Sequence, residues 1–389
     1  MAVSQLYSRA LGPLLSPLVA LRRPGATARP AAVSFPKKDS NLNQSDAIHG
    51  QRSKWALRLS LAEQSPPKAA VDVERLVGFL YDDLPHLFDD QGIDRTAYDE
   101  RVKFRDPITK HDAISGYLFN IAFLKAVFRL DFQLHWVKQT GPYEITTRWT
   151  MVMKVMPLPW KPELVFTGTS IMGINPETGK FCSHVDYWDS IKKNEYFSLE
   201  GLWDVFRQLR YYKTPELQSP KYQILKRMAD YEVRKYLPFL VAETSGDKLS
   251  GSKGFNDIAG YIFGKNSKME KMKMTTPVFT QAFDNELSKI SIQFVLPLEK
   301  EISSLPDPSQ ETISLRQVEG GIAAVLKFRG KPTEDIVLEK ERELRSSLIR
   351  DGLKPKTGCL LARYNDPGRT WSFALRNEVL IWLEEFELD

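Results

Sequence analysis

Cysteine is nearly absent from this chain. Cys182 and Cys359 are the only two, far apart in sequence. That excludes a disulfide framework and any CxxC metal pair, and it suits a reducing compartment. Histidine is scarce as well. His49, His86, His111, His135 and His184 all precede residue 190, so the second half has no imidazole for metal or acid–base work. Glycine (22) and proline (24) are too few for a collagenous or low-complexity chain. No stretch reaches the roughly 18 uninterrupted apolar residues of a spanning helix. GxGxxG, P-loop, HExxH and GxSxG patterns are missing, which removes the commonest nucleotide-binding, zinc-protease and serine-hydrolase signatures. No basic–aromatic platform for nucleic acid stands out. The first 38 residues contain no acid at all.

What is present is ordinary globular composition, 42% apolar and 26% charged over 389 residues. That is enough chain for two folded domains. The net charge of +5 is unevenly placed. Arg9, Arg22, Arg23, Arg29, Lys37 and Lys38 account for it, leaving 48 basic against 49 acidic residues beyond them. An acid-free leader rich in Arg, Ala, Ser, Leu and Pro has the pattern of an organelle transit peptide over about residues 1–50, plastid before mitochondrion. Past residue 50 the balance is 48 basic to 47 acidic, so the mature chain has no long-range pull on nucleic acid or anionic lipid.

Beyond a polar linker at 39–66, helical spacing begins near Pro67 and runs through Leu76, Leu80 and Leu87. A strand over Tyr98–Asp106, a helix over Ala113–Phe128 and strands over Leu130–Val137, Tyr143–Val155, Leu164–Ile174 and Lys180–Trp188 follow. The turn Asn175-Pro176-Glu177-Thr178-Gly179 makes the last two a hairpin. A helix over Leu199–Tyr211 closes an α+β domain spanning 67–212. The second half repeats itself. A strand over Tyr231–Thr244, a helix over Gly254–Phe263 and strands over Lys271–Phe279 and Ile290–Leu296 are answered by a strand over Ile322–Phe328, a helix over Thr333–Arg350 and strands over Cys359–Tyr364 and Phe373–Leu383. This β-α-β-β order, twice, predicts one eight-stranded antiparallel layer or barrel with two helices over 220–387.

Four blocks in the second half are specific: Tyr231-Glu232-Val233-Arg234-Lys235-Tyr236, then Phe255 to Asn266, then Lys271-Met272-Lys273-Met274-Thr275-Thr276-Pro277-Val278, and Arg376-Asn377-Glu378-Val379 near the end. In this order they resemble the SOUL haem-binding family over about residues 220–386. The first half is similar, over roughly 70–195, to an uncharacterised family of photosynthetic organisms with a SnoaL-like α+β cone. Together the two resemble a plant plastid SOUL protein. The resemblance implies a SOUL-type eight-stranded barrel and a non-covalently held haem or other tetrapyrrole near the Gly254–Phe263 helix. It also leaves room for a protein partner in haem metabolism.

The residues agree with that expectation in part. Phe255, Ile258, Ala259 and Ile262 form an apolar stripe at i, i+3, i+4 and i+7, suited to a macrocycle or equally to packing on the sheet. Lys265 and Lys268 follow the helix, and Arg369 sits where SOUL relatives carry a lysine facing the ligand; each is a candidate partner for a propionate. Where one relative is thought to use a histidine ligand, this chain has Lys235, mostly protonated near neutral pH and a poor iron ligand. Binding without a histidine axial ligand from this domain is therefore expected, which suits a carrier or buffer better than a redox centre. Met272 and Met274, alternating with lysines, are read as core filling rather than metal ligands.

In the first half, Cys182, His184, Asp186 and Trp188 share one face of a strand. If that face lines the cone, His184 and Asp186 are the candidate acid–base pair of an isomerase- or hydrolase-type enzyme. Asp106 and His111 lie at a strand-to-helix junction, where Asp106 has the alternative role of capping a turn. Three readings stay open: tetrapyrrole carrier, enzyme in the cone, and interaction module with a vestigial haem slot.

Overall fold

The computed structural model describes residues 71–210, 214–287 and 289–388. The expected import leader lies outside them. The described chain builds two sheets, each with its own helices, and no strand is shared between them.

The first part opens with helix α1 (Val73–Asp83), capped at its start by the Asp72 carboxylate, which accepts from the Arg75 amide. Strands β1 (Tyr98–Arg105) and β2 (Lys110–His111) and helix α2 (Ile114–Val127) follow. Four longer strands then form an antiparallel meander: β3 (Phe128–Gly141), β4 (Glu144–Val155), β5 (Glu163–Ile174) and β6 (Phe181–Trp188). Strand β6 pairs in parallel with β1, giving a six-stranded sheet ordered β2-β1-β6-β5-β4-β3. Helices α1 and α2 bury Leu76, Leu80, Tyr117 and Ile121 with Tyr98, Ile145, Met172 and Phe181 of the sheet. Helix α3 (Leu199–Gln208), capped by Ser198, closes the domain.

The second part is one curled antiparallel sheet of nine strands. They are β7 (Tyr222–Arg227), β8 (Glu232–Tyr236), β9 (Phe239–Ser245), β10 (Val278–Ala282), β11 (Ile290–Val295), β12 (Ser314–Val318), β13 (Gly321–Arg329), β14 (Cys359–Arg363) and β15 (Arg376–Trp382). Helix α4 (Phe255–Ile262) follows β9, and helix α5 (Glu334–Arg350) follows β13. The doubled β-α-β-β order is present as β9-α4-β10-β11 and β13-α5-β14-β15. The sheet order is β12-β9-β11-β10-β14-β15-β13-β8-β7, so the two units are arranged as reflections across the β10–β14 pair. The backbone turns into α4 at Gly254, whose φ is +83°; a Cβ there would sit 2.4 Å from the Thr244 side chain.

Three details differ from the pattern read in the sequence. The apolar stretch Tyr231–Thr244 is two strands, because Pro238 has no N–H to continue a ladder and the chain crosses the sheet there. Only the end of Lys271–Phe279 is strand: Pro277 precedes β10, and Met274 is about half exposed while Met272 is buried. The split at Pro238 makes seven strands of the six named in the sequence, and the short strands β7 and β12 bring the sheet to nine rather than eight.

Strand β7 also joins the two parts. The Thr150 hydroxyl of β4 donates to the Ile224 carbonyl at 2.9 Å, and the Arg227 amide donates to the Thr167 hydroxyl of β5 at 2.8 Å. The Arg227 guanidinium grips Asp204 of α3 with two bonds of 2.8 Å, both side chains nearly buried.

Candidate functional site

The first and last of the SOUL-like blocks meet on the sheet face opposite α4 and α5. Arg234 lies at the centre. Its Nη1 and Nη2 donate to the two Glu378 oxygens at 2.8 and 3.1 Å, and its Nε donates to Glu232 at 2.8 Å. Lys327 donates to the other Glu232 oxygen at 2.6 Å. Arg376 at 2.7 Å and the Tyr364 hydroxyl at 2.8 Å complete the shell of Glu378. Guanidinium groups also lie over the Tyr222 and Tyr364 rings. Burial alone would raise Glu232, but Lys327 and Arg234 override it and bring it down to about 2. Glu378 is likewise lowered, because Arg234 and Arg376 outweigh its burial. The network is fully satisfied apart from Arg376 Nε. Two of the four blocks are therefore a buried structural clasp. The sequence carried a partial signal for it: Glu232 with Arg234, and Arg376 with Glu378, each two positions apart and so on one face of a strand.

Two cavities bear on function. The larger, about 790 Å³, is a crevice between the two parts. One wall carries Lys154, Trp160 and Lys161 around the β4–β5 turn, with Arg207 and Arg210 at the end of α3. The other carries Asp230, Lys327, Arg369, Trp371 and Arg376. Arg207, Arg227, Lys327 and Arg376 are neutralised by Asp230, Asp204, Glu232 and Glu378. Among the described residues, Lys154, Lys161 and Arg210 make no ion pair, and Arg369, exposed, has only a loose 3.6 Å contact with Asp366. The crevice thus offers four available cations beside two indoles, a setting for an anionic aromatic ligand.

Of the residues expected to touch a tetrapyrrole, only Arg369 lines this crevice. The others lie at α4. Ile258 and Ile262 are buried with Tyr261 against Ala242, Ile292 and Phe294 of β9 and β11. Ala259 is half-buried beside them. Phe255 is exposed and edge-on to Phe294. Lys265 and Lys268 are exposed, the latter donating to the Ser304 carbonyl at 3.3 Å. Lys235 points to solvent from β8.

The smaller cavity, about 70 Å³, lies inside the cone. His184, Asp186 and Trp188 of β6 line it, as strand alternation requires, while Cys182 does not and instead approaches the Gly173 carbonyl. Thr147 of β4, Ser170 of β5 and Asp186 form a row in register across three strands. Trp149 Nε1 donates to Ser170 Oγ at 2.8 Å, which donates to Asp186 Oδ1 at 2.5 Å. The Tyr117 hydroxyl is 3.1 Å from His184 Nδ1. Burial pushes the Tyr117 phenol far up, so it stays protonated beside the imidazole. Nε2 is 2.9 Å from Asp186 Oδ1, a close contact without hydrogen-bond alignment. Asp106 also lines the cavity, raised by burial against the lowering effect of Thr109. It accepts from the Ile108 and Thr109 amides and the Thr109 hydroxyl, so it caps the turn and borders the cavity at once. His111 stacks on Phe104 beside it. Among the described residues, Thr147 Oγ1, fully buried, has no hydrogen-bond partner. An unsatisfied buried group of this kind costs about 1–3 kcal/mol.

Among the described residues, no set of three or more His, Cys, Asp or Glu side chains is placed to hold a metal ion. No helix there is long and apolar enough to cross a membrane.

The architecture is that of an α+β protein joining a six-stranded sheet with its helices to a curled nine-stranded antiparallel sheet. Residues 217–382 match the family described as SOUL heme-binding protein, which supports a tetrapyrrole-binding domain there. Residues 74–184 match an uncharacterised conserved protein family, DUF2358. Among solved structures, an NTF2-like protein of unknown function from Exiguobacterium sp. 255-15 is 14% identical, covering 31% of this chain and 98% of its own, at a TM-score of 0.24. A SnoaL-like protein of the polyketide-cyclase type from Shewanella denitrificans OS-217 is 18% identical, covering 30% and 91%, at 0.25. The EcmrR C-terminal domain is 14% identical, covering 42% and 99%, at 0.33. These are likenesses of fold alone. No curated protein sequence matches the chain.

Proposed function

We propose that this protein binds haem or a related porphyrin non-covalently and carries or buffers it within a plastid, handing it to a protein of haem metabolism. The observation that carries the reading is the SOUL domain over 217–382. Supporting it is the crevice beside that domain, with Arg369 and three further available cations near Trp160 and Trp371. A dianionic macrocycle needs cations for its propionates and aromatic surface for its ring. The SOUL domain contains no histidine, so iron there has no imidazole ligand from it. Titrating the full-length protein with haemin, following the Soret band, is expected to give a saturable shift at micromolar protein without a low-spin bis-histidine spectrum. No saturable change overturns the proposal.

A second reading concerns the cone. His184 and Asp186 line the smaller cavity with Tyr117 and Asp106. This supports a small-molecule site there, with acid–base groups of the kind an isomerase or hydrolase uses. Its test is saturable binding of a small organic molecule that perturbs Trp149 or Trp188, both in the cavity wall.

A further inference from the structure

Helix α3 is turned inside out. A surface helix ordinarily buries its apolar side. Here the buried residues are Gly201 and Asp204, the latter held by Arg227 and Ser190, while Leu199, Trp203 and Phe206 are 75%, 60% and 64% exposed. Helix α2 also leaves apolar side chains outside. Its core side is filled by Ile114, Tyr117 and Ile121, and on its outer side Phe119 and Phe123 are 69% and 52% exposed. Just before α3, Phe197 has φ +62°, a left-handed backbone that favours glycine, and its exposed ring lies beside Tyr196.

The two helices form one face. Both start at the turn between β1 and β2, where the Ser198 amide donates to the Pro107 carbonyl and the His111 ring lies against Gly116 in the first turn of α2. Both end at the turn between β4 and β5. There the Met156 amide donates to the Val127 carbonyl and the Trp160 indole to the Leu209 carbonyl, each at 3.3 Å. Between these ends, Leu124 of α2 and Val205 of α3 pack against the same apolar cluster. The helices thus run side by side in one direction, with their aromatic faces outward together. An exposed apolar surface of this extent marks a contact with something else.

The charges around the face select the partner. Lys110, Lys192 and Lys193 border the starting end, with Lys110 over the Tyr196 ring. Arg129, Lys154, Lys161 and Arg210 border the far end, and Arg129 and Lys154 are directly opposite each other across β3 and β4, a like-charge pair that an anion relieves. The ion pairs nearby are made by other cations, Arg105, Arg148, Arg207 and Arg227, so among the described residues these seven stay unpaired. The acids along the same border are four, Asp131, Glu163, Glu195 and Glu200. We infer that the outer faces of α2 and α3 rest on an anionic bilayer surface, with Phe119, Phe123, Trp203 and Phe206 at the acyl boundary and the flanking lysines and arginines on the headgroups. Helices with Trp, Phe and Leu on one side and cations around them bind membranes by apolar burial, strengthened by contact with anionic lipid. The near-neutral chain has no long-range pull, so the attraction acts only within about a Debye length, ~8–10 Å. This contact is independent of what the crevice binds.

The test is flotation of the full-length protein with vesicles of phosphatidylcholine and phosphatidylglycerol, beside vesicles of phosphatidylcholine alone. The acid-free leader is common to every variant, so differences between variants report on the helices. The wild type is expected to float with the mixed vesicles and to bind the neutral ones severalfold less. Trp203→Ser with Phe206→Ser, and separately Phe119→Ser with Phe123→Ser, are each expected to weaken binding at least about fivefold. All four side chains are more than half exposed, so the denaturant midpoint should stay unchanged. A wild type that does not float overturns the inference. So do double variants that both float like the wild type, since binding then comes from the leader. Equal binding to neutral and mixed vesicles overturns the anionic preference. Concentration-dependent dimerisation without vesicle binding, abolished by Trp203→Ser with Phe206→Ser, overturns the bilayer contact in favour of a second copy of the chain.

Discussion

Arg234 and Glu378, 144 positions apart in sequence, close a two-pronged ion pair at the centre of the SOUL sheet, and both side chains are wholly buried. Their strands are not neighbours: β13 lies between β8 and β15, and Lys327 on it ties Glu232 into the same group. The pair thus clasps three strands from both ends of the domain. Removing one partner of such a pair strands a charge and costs about 3–5 kcal/mol. Arg234→Met and Glu378→Leu are each expected to lose that much in urea unfolding, and the double variant less than their sum. Additive losses would show that the two side chains act independently.

The clasp also sets acid sensitivity. Glu232 is held at about 2 against its usual 4.5, and Glu378 is lowered too. A carboxylate with a lowered folded pKa contributes stability that is present above its unfolded value and lost as pH falls through the folded one. Unfolding free energy should therefore drop between about pH 4.5 and pH 2. Glu232→Gln should flatten that part of the profile, as read by denaturant midpoints across the range. An unchanged slope refutes the assignment.

Asp204 and Arg227 bind the cone to β7 in nearly dry surroundings. Asp204→Ala leaves the guanidinium uncompensated, and a loss of about 3–5 kcal/mol is expected. Because the pair bridges the two parts, calorimetry should split from one transition towards two. A single transition with unchanged midpoint would count against it.

Haemin affinity should separate the two sets of candidate contacts. Arg369→Glu places a repulsive charge at the crevice and is expected to weaken haemin binding about tenfold, the range of one lost charge-assisted bond. Lys265→Glu with Lys268→Glu, both at α4 and away from the crevice, should change it less than about twofold. The opposite ranking would place the ligand at α4.

Much of this was legible in the residues. The long strands β3 to β6 and helix α5 show their period over enough positions to be placed within a few residues, and the doubled β-α-β-β order follows from the same signal. His184 and Asp186 were placed together because strand alternation is local. What failed to show depends on distant contacts. Pro238 splits an apolar run whose composition alone looks continuous. Polar β12 looks like loop until its pairing with β9 is seen. Thr147 is one threonine among several in a strand-rich stretch, and nothing local marks it as the one without a partner. Arg369 reads equally well as a neighbour of α4 or of the cone, since the fold of its loop decides between them.

Strand β7 is the last strand of its sheet, and its outward carbonyl and amide at Ile224 and Arg227 are taken up by threonine hydroxyls of the cone. Those hydroxyls stand in for a tenth strand. A SOUL domain cut away from the cone would bare this edge to other chains, the usual route to edge-to-edge association. The cone is in that sense a solubility device for its neighbour, and the two parts are best kept together whenever ligand binding is measured.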